Sequence, residues 1–422
     1  MQQLKIVTAH YKYSIQGGPE RYMFKFKELA EKNGCTVIPF SVNYPQNVKT
    51  EYSEYFVSPG KNEKGGTSHG LTVSSAFKGV VSLFHNREAY KKMKALLRAE
   101  KPDLVYVLIP GMLSADIFKA AKEENVPVIL RLSDFRLICG KNILMRGGNI
   151  CEECIYGNYK CMVKHKCVKN SFILSVLRAA SCGYARRKGL YNLVDAVITP
   201  PKFTKNKILQ SGFFEKEKVF TNPTFIDCNS VTPVYTHKNY VLCLGRFSPE
   251  KGFIYVVRAL RYLKDIPVTV AVTGEKENCN EELKKAIAEL GLEDKVEFLG
   301  FLQGEKLKNA TENALCVAAP AIWYENMPNV VIEAYAYGKP VIASRLGSLE
   351  EMVEDGKTGI LFEPKNEKDI ADCIRRLYDS PELCRELGEN ARKKCETEYS
   401  PEQHWKRFTD IYNSIKQGGE KI

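Results

Sequence analysis

The chain alternates short apolar runs with segments whose apolar positions recur at helical spacing. In the first half, Leu4–Thr8, Cys35–Ser41, Asp103–Ile109 and Val126–Leu132 read as strands, with Glu20–Lys32 and Ala115–Glu124 as helices between them, a βαβ pattern. Pro45 to Gly70 is rich in Gly, Ser, Asn and Lys without periodicity and reads as a mobile loop. After the strand-like Asp195–Thr199, a polar, proline-punctuated passage from Asn222 to Pro233 suits a domain connection. A second βαβ series follows, with strands predicted at Tyr240–Leu244, Val268–Thr273, Val296–Leu299, Leu315–Ala319, Val341–Ser344 and Gly359–Phe362. Trp405, Phe408, Ile411 and Tyr412 then fall at helical spacing within Pro401 to Ile415, a packed closing helix.

This pattern predicts an α/β protein of two Rossmann-like, doubly wound domains whose strand carboxyl ends face a central cleft, where such sheets bind ligands. The expected boundaries are 1–222 for the N-terminal domain, with a cysteine-rich insertion at 139–167, 223–400 for the C-terminal domain, and 401–422 for the closing helix and tail. The bulk numbers agree: 422 residues exceed what one core usually organises, and 44% hydrophobic with 27% charged residues is ordinary for a soluble globular protein. The opening residues lack the order of a secretory leader, and no apolar run approaches the roughly 18 uncharged residues of a membrane span. A cytoplasmic setting is expected.

The net charge of +12 changes the picture once it is divided. Residues 1–200 hold 30 Lys+Arg against 16 Asp+Glu, leaving 32 against 34 for the remainder. A basic N-terminal half suggests an anionic partner there, a membrane surface, an acidic carrier or nucleic acid, unless it is simply a basic soluble surface.

Candidate chemistry concentrates in the second half. Arg246 leaves a strand end and Lys251 sits at a helix start within Gly245-Arg246-Phe247-Ser248-Pro249-Glu250-Lys251-Gly252, so both cations can reach one diphosphate. Further on, Pro328 stands at the first turn of a helix, with Asn326 or Met327 flanking its cap, and the exposed N–H groups there suit a nucleotide's phosphates. Glu325 and Glu333 frame this segment; were all eight steps helical, at about 1.5 Å each they would lie roughly 12 Å apart, enough to straddle a diphosphate. Glu333 sits among apolar residues, where a charge needs a partner or ligand to offset its desolvation. At the N-terminus, Gln16-Gly17-Gly18-Pro19-Glu20-Arg21 joins a strand to a helix and allows close backbone approach.

Taken in order, the Gly17-Gly18-Pro-Glu-Arg loop, the Gly245-Arg246-x4-Lys251-Gly252 turn, the Glu325-x7-Glu333 element and Gly338-Lys-Pro-Val-Ile-Ala-Ser make the chain resemble, over nearly its whole length, family 4 of the retaining glycosyltransferases (glycosyltransferase group 1), of bacterial polysaccharide type. The resemblance implies the GT-B fold, with a C-terminal helix crossing back. It implies that Arg246, Lys251 and Glu325 are catalytic: the cations hold the donor diphosphate and stabilise the leaving group, and Glu325 contacts the transferred sugar. Gly17, Gly18, Asn326, Met327, Pro328, Asn329, Val330 and Glu333 would bind the donor, Glu333 through the ribose hydroxyls. Retention would proceed by front-face attack without a protein nucleophile, and the lack of an Asp-x-Asp pair agrees with chemistry that needs no divalent metal. Many relatives carry a His before the Asp of Arg131-Leu132-Ser133-Asp134-Phe135, where it contacts the sugar; here Ser133 stands in that place, so either Ser133 or Asp134 takes over part of that acceptor-side or sugar contact, or the acceptor geometry differs.

Two features lie outside that frame. Cys139, Cys151, Cys154 and Cys167, with Cys161 or His165 as substitute, have the spacing of a structural zinc site; free or redox-active thiols and an iron–sulfur site are the alternatives. Asn170 to Tyr191 combines Phe172, Ile173, Leu174, Val176 and Leu177 with Arg178, Arg186, Arg187 and Lys188, either an amphipathic helix on anionic lipid or a core helix with a basic end.

The sequence therefore predicts a hexosyltransferase-type enzyme that moves a sugar from a nucleotide diphosphate-sugar, UDP- rather than GDP-linked, to a glycan or lipid-linked acceptor in cell-surface polysaccharide synthesis. Peripheral attachment to the inner face of the membrane goes with that reading, and no nucleic acid is expected. The alternatives are a nucleotide-sugar epimerase on the same fold and a non-enzymatic, zinc-containing nucleic-acid-binding protein.

Overall fold

The computed structural model describes residues 3–15, 17–59, 84–274, 279 and 281–419. The first sheet is built from β1 (Lys5–His10), β2 (Thr36–Phe40), β3 (Leu104–Ile109), β4 (Val128–Arg131), β7 (Ala196–Thr199) and β8 (Val219–Thr221), in the order β2-β1-β3-β4-β7-β8. A small antiparallel hairpin, β5 (Met145–Arg146) and β6 (Asn149–Ile150), stands apart from it. The second sheet comprises β9 (Tyr240–Cys243), β10 (Thr269–Val272), β11 (Val296–Phe298), β12 (Cys316–Ala319), β13 (Val341–Ser344) and β14 (Gly359–Phe362), ordered β11-β10-β9-β12-β13-β14. Every pairing within the two large sheets is parallel.

Parallel strands covered by helices on both faces are buried throughout, which is why β3 and β12 are unbroken apolar runs and β4 and β13 are apolar up to their last residues, Arg131 and Ser344. In each sheet the strand order reverses at one place, between β1 and β3 and between β9 and β12. Crevices for ligands open there, at the carboxyl ends of the strands. The first crevice is bordered by the Gly17-Gly18 loop, the second by the Gly245–Gly252 turn and the loop after β12.

The closing helix Pro401–Gly419 returns to the first domain. Trp405, Phe408, Ile411 and Tyr412 share a buried cluster with Leu4, Ile6, Phe26 and Tyr106, and the Phe26 and Phe408 rings lie 4.8 Å apart. A buried polar network pins the connection between the domains. Arg131 donates to the Asn222 carbonyl (2.9 Å) and to Thr224 Oγ1 (3.0 Å), and Asn222 Nδ2 donates to the His404 carbonyl (3.1 Å).

Most predicted strands lie within two residues of their expected ends. The reading of Pro45 to Gly70 as a mobile loop rather than core is corrected over its described part: Glu51–Tyr55 forms a 3-10 turn, and Phe56 and Val57 are buried, with Val57 bridging Val42. Residues 60–70 of that passage lie outside the described residues, as does Gln16 of the glycine loop. Composition pointed to solvent, but two apolar residues suffice to anchor a short turn on the core. Among the described residues, no helix is long and apolar enough to cross a membrane.

Candidate functional site

The turn after β9 is shaped by glycine. Gly245 donates its N–H to Thr273 Oγ1 at 3.0 Å, Pro249–Lys251 forms a 3-10 turn, and Gly252 follows at φ 71°. A Cβ on Gly252 would lie 2.0 Å from the Pro320 carbonyl oxygen, so only glycine lets this turn press against the loop that follows β12. The contact is sealed where Ile322 N–H donates to the Glu250 carbonyl at 3.0 Å.

That approach brings Lys251 to Glu325. Lys251 Nζ lies 2.6 Å from Glu325 Oε1, and Trp323 Nε1–H donates to the same oxygen at 3.0 Å. The ammonium also stands 5.8 Å from the centre of the Trp323 ring. Glu325 is buried, and Ser348 Oγ donates to its carbonyl at 2.7 Å. Arg246 remains exposed at the strand end.

The helix Asn329–Ala336 begins immediately beyond. Its N-cap is Pro328, rather than Asn326 or Met327, and no side chain caps its first N–H groups. Residues 325–328 are not helical, so the helical spacing between Glu325 and Glu333 does not apply. Glu333 lies on the second turn, where burial pushes its carboxyl pKa up against the opposing pull of Lys25 and Arg21. Both cations belong to the helix Gly18–Lys32 of the other domain. The cleft is narrow at this point: a Cβ on Gly18 would stand 4.0 Å from Asn329 Nδ2.

Other contacts tie the domains around this opening. Asn326 Nδ2 donates to the Leu132 carbonyl (3.2 Å), and its Oδ1 accepts from Thr204 Oγ1 (2.7 Å). Met327 Sδ accepts from Thr224 N–H at 3.0 Å. The carboxylate of Glu351 accepts the Lys202 and Phe203 N–H groups at 2.9 and 2.7 Å, at the start of the helix Lys202–Gln210. Thus Lys251 meets Glu325, Gly18 faces Asn329, and Glu333 faces Lys25 and Arg21 across the cleft, while the side chain of Asn326 is engaged by the opposite domain and that of Met327 by Thr224 of the connecting segment.

Ser133 adjoins this opening through Leu132, whose carbonyl holds Asn326. Asp134 is occupied by Arg136, which forks onto both its oxygens at 2.8 and 2.6 Å and adds a backbone bond at 2.9 Å. Sequence reasoning missed His10, at the end of β1. Its Nε2 has no hydrogen-bond partner and lies 3.9 Å from Glu20 Oε1, and burial lowers its pKa to about 4, with the nearby Arg136 charge acting in the same direction. Trp323 was missed as well, although a rare aromatic beside the first glutamate was a usable signal.

The zinc expectation for Cys139, Cys151, Cys154 and Cys167, with Cys161 or His165 as substitute, finds no support. Among the described residues no group of three or more His, Cys, Asp or Glu is placed to hold a metal ion. His165 is committed on both nitrogens, with Arg146 Nη1 at 2.7 Å and Glu153 Oε2 at 3.0 Å, and Arg146 closes the triangle to Glu153 at 2.6 Å. The cysteines are free thiols, and burial, followed by the neighbouring Cys139, Cys161, Cys167 and Cys151 sulfurs, pushes the Cys154 thiol up to about 12.

Two parallel-sheet Rossmann-like domains closed around a cationic turn and a helix N-terminus define the GT-B class of fold. The solved structure of a glycosyltransferase from Rickettsia africae matches with a TM-score of 0.69 at 18% identity, covering 98% of this chain and 99% of that one. The Anabaena protein HepE in complex with UDP-glucose matches with a TM-score of 0.62 at 17% identity, covering all of both chains. Residues 229–394 match the family model for glycosyl transferases group 1, and the chain carries a glycosyltransferase group 1 domain there. Over 179 residues it is 30% identical to the alpha-D-kanosaminyltransferase of Streptomyces kanamyceticus, covering 42% of this chain and 45% of that relative. The chain spans about half the length of the curated relatives it matches.

Proposed function

We propose that this protein is a retaining, metal-independent glycosyltransferase that moves a hexosyl-type group from a UDP-sugar to a glycan or lipid-linked acceptor in cell-surface polysaccharide synthesis. One observation carries the reading: the Lys251–Glu325 pair at 2.6 Å, set beside an uncapped helix N-terminus at the point where the strand order reverses. The group 1 domain supports the transferase chemistry, and the Anabaena neighbour, which holds UDP-glucose, supports UDP as the donor's nucleotide.

In this mechanism the donor exchanges partners with the resting pair. Its diphosphate draws Lys251 off Glu325 and meets Arg246 and the first N–H groups of the helix Asn329–Ala336. Glu325, released, accepts hydroxyls of the transferred sugar, while Trp323 keeps it oriented. As the glycosidic bond breaks, the electron pair leaves with the diphosphate, whose growing charge is held by Arg246 and Lys251. The acceptor oxygen attacks from the same face, and its proton passes to the departing phosphate. Glu333 holds the ribose hydroxyls, and Gly18 closes over the diphosphate.

Thermal-shift measurements with UDP, UDP-glucose and GDP-sugars on the wild type, Lys251→Ala and Glu333→Ala test the assignment. Stabilisation by UDP ligands that is diminished in both variants supports it; undiminished stabilisation in both overturns it. The anomeric configuration of the first-formed product, read by NMR, tests retention separately.

A further inference from the structure

The helix Phe172–Arg187 is turned inside out. Its buried positions are Ser175, Ser181 and Cys182, whereas Phe172 is 57% exposed and Ile173 69% exposed. A surface helix ordinarily does the reverse. Of the ten large apolar side chains exposed among the described residues, five, Phe172, Ile173, Leu174, Val176 and Tyr184, belong to this helix. Singly they would need no explanation; gathered on one element they mark an interaction surface.

The orientation is fixed by bonds on the inner side. Ser175 Oγ accepts from Val168 N–H at 3.1 Å and donates to the Ser171 carbonyl at 2.7 Å, and Arg178 donates to the Arg136 carbonyl at 2.6 Å. Rolling the apolar residues inward would break the bonds to Val168 and Arg136, which lie outside the helix. Charge then selects the partner. From Cys154 to Val194 the sequence contains eight Lys and Arg residues and no Asp or Glu. Lys164, Lys166, Lys169, Arg187 and Lys188 are exposed around the helix.

We propose that the helix Phe172–Arg187 docks this protein on an anionic lipid bilayer, its apolar side chains entering the acyl boundary and the surrounding cations meeting the headgroups. A second copy is disfavoured as occupant, because pairing the same face would bring two predominantly cationic rims together. The inference stands apart from the donor-site reading, since its readout is binding to lipid.

Full-length protein is sedimented with vesicles of phosphatidylcholine alone and of phosphatidylcholine mixed with phosphatidylglycerol. Binding to the anionic vesicles alone is expected, weakened by about 0.5 M NaCl through screening. The double variant Ile173→Glu/Val176→Glu should reduce that binding about tenfold or more, with Tm and UDP-induced stabilisation unchanged. Binding that is absent, or equal on neutral vesicles, overturns the proposal. So does a concentration-dependent dimer that the double variant abolishes, which would make a second copy the occupant. A large fall in Tm in the double variant without wild-type vesicle binding also overturns it, and would show that another part of the chain covers the patch.

Discussion

The two sides of the cleft share a sheet plan but hold their polar groups differently. On the C-terminal side, Lys251 meets the buried Glu325 through one short contact, and Arg246, on the same turn as Lys251, is exposed. On the N-terminal side, Arg136 grips Asp134 through three hydrogen bonds, and His10 is buried against Glu20. A point contact between ions can be traded for a phosphate; a forked, bonded pair is held in place. One half is therefore arranged to exchange partners with a charged ligand, and the other to present a fixed surface.

The sharpest way to break that contrast is Lys251→Ala. It removes the exchangeable cation and leaves the buried Glu325 carboxylate with Trp323 as its remaining side-chain partner. A fall in kcat/KM of about 100- to 1,000-fold is expected, the scale on which a single preorganised charge stabilises a transition state. Initial rates with a UDP-sugar measure it, and a loss below about tenfold would show that the pair is structural.

The N-terminal side makes a different prediction, about pH. His10 is held neutral by burial, its pKa lowered from 6.5 to about 4. Between those values the unfolded chain binds a proton that the folded chain refuses, so stability rises with pH across this window and is lost as pH falls from 6.5 towards 4. His10 contributes up to about 3 kcal/mol to that loss. His404, whose pKa is likewise lowered by burial, adds to it in the same direction. In urea titrations at successive pH values, His10→Asn should flatten part of the slope and leave the share belonging to His404. An unchanged slope would place the titration elsewhere.

Glu333 joins the two sides, since burial raises its pKa while Arg21 and Lys25 of the opposite domain pull the other way. Glu333→Ala should weaken UDP binding about 10- to 100-fold, the scale of a charge-assisted, hydroxyl-reading pair. Calorimetry with UDP and with inorganic pyrophosphate separates the roles: the loss should appear with UDP and not with pyrophosphate. Equal losses would assign Glu333 to domain closure rather than to ribose.

The contrast also explains what could be read from sequence. Strands β9, β12 and β13 and the Gly245–Gly252 turn were legible because buried parallel strands are largely apolar runs and tight turns demand glycine at particular places. The donor-side residues lie close to those landmarks along the chain. Contacts between distant stretches were not legible: Lys251 meets Glu325 across 74 positions, and Asn326 finds Leu132 across 194. For the helix Phe172–Arg187, composition revealed apolar and basic residues but not which face looks outward, because that depends on bonds made by Ser175 and Arg178. The cysteine spacing suggested a metal geometry that the fold does not assemble among the described residues, His165 being taken up by Arg146 and Glu153.

The smallest expected effect tests how firmly the two sides are joined. Glu351 crosses from one domain to accept the Lys202 and Phe203 N–H groups, completing the first turn of a helix in the other domain. A carboxylate at a helix N-terminus is favourable, but Glu351 is exposed and solvent screening limits the contact to about 1 kcal/mol or less. Glu351→Gln keeps the shape and removes the charge. If closure helps assemble the opening between Gly18 and Asn329, donor KM should rise about three- to fivefold with kcat nearly unchanged, because the donor would then have to supply the lost closing energy. The rise should shrink at high salt, where the wild-type contact is itself screened. A kcat that falls while KM holds would instead place Glu351 in the chemical step, and the two sides of the cleft would no longer be separable into one that exchanges charge and one that stays fixed.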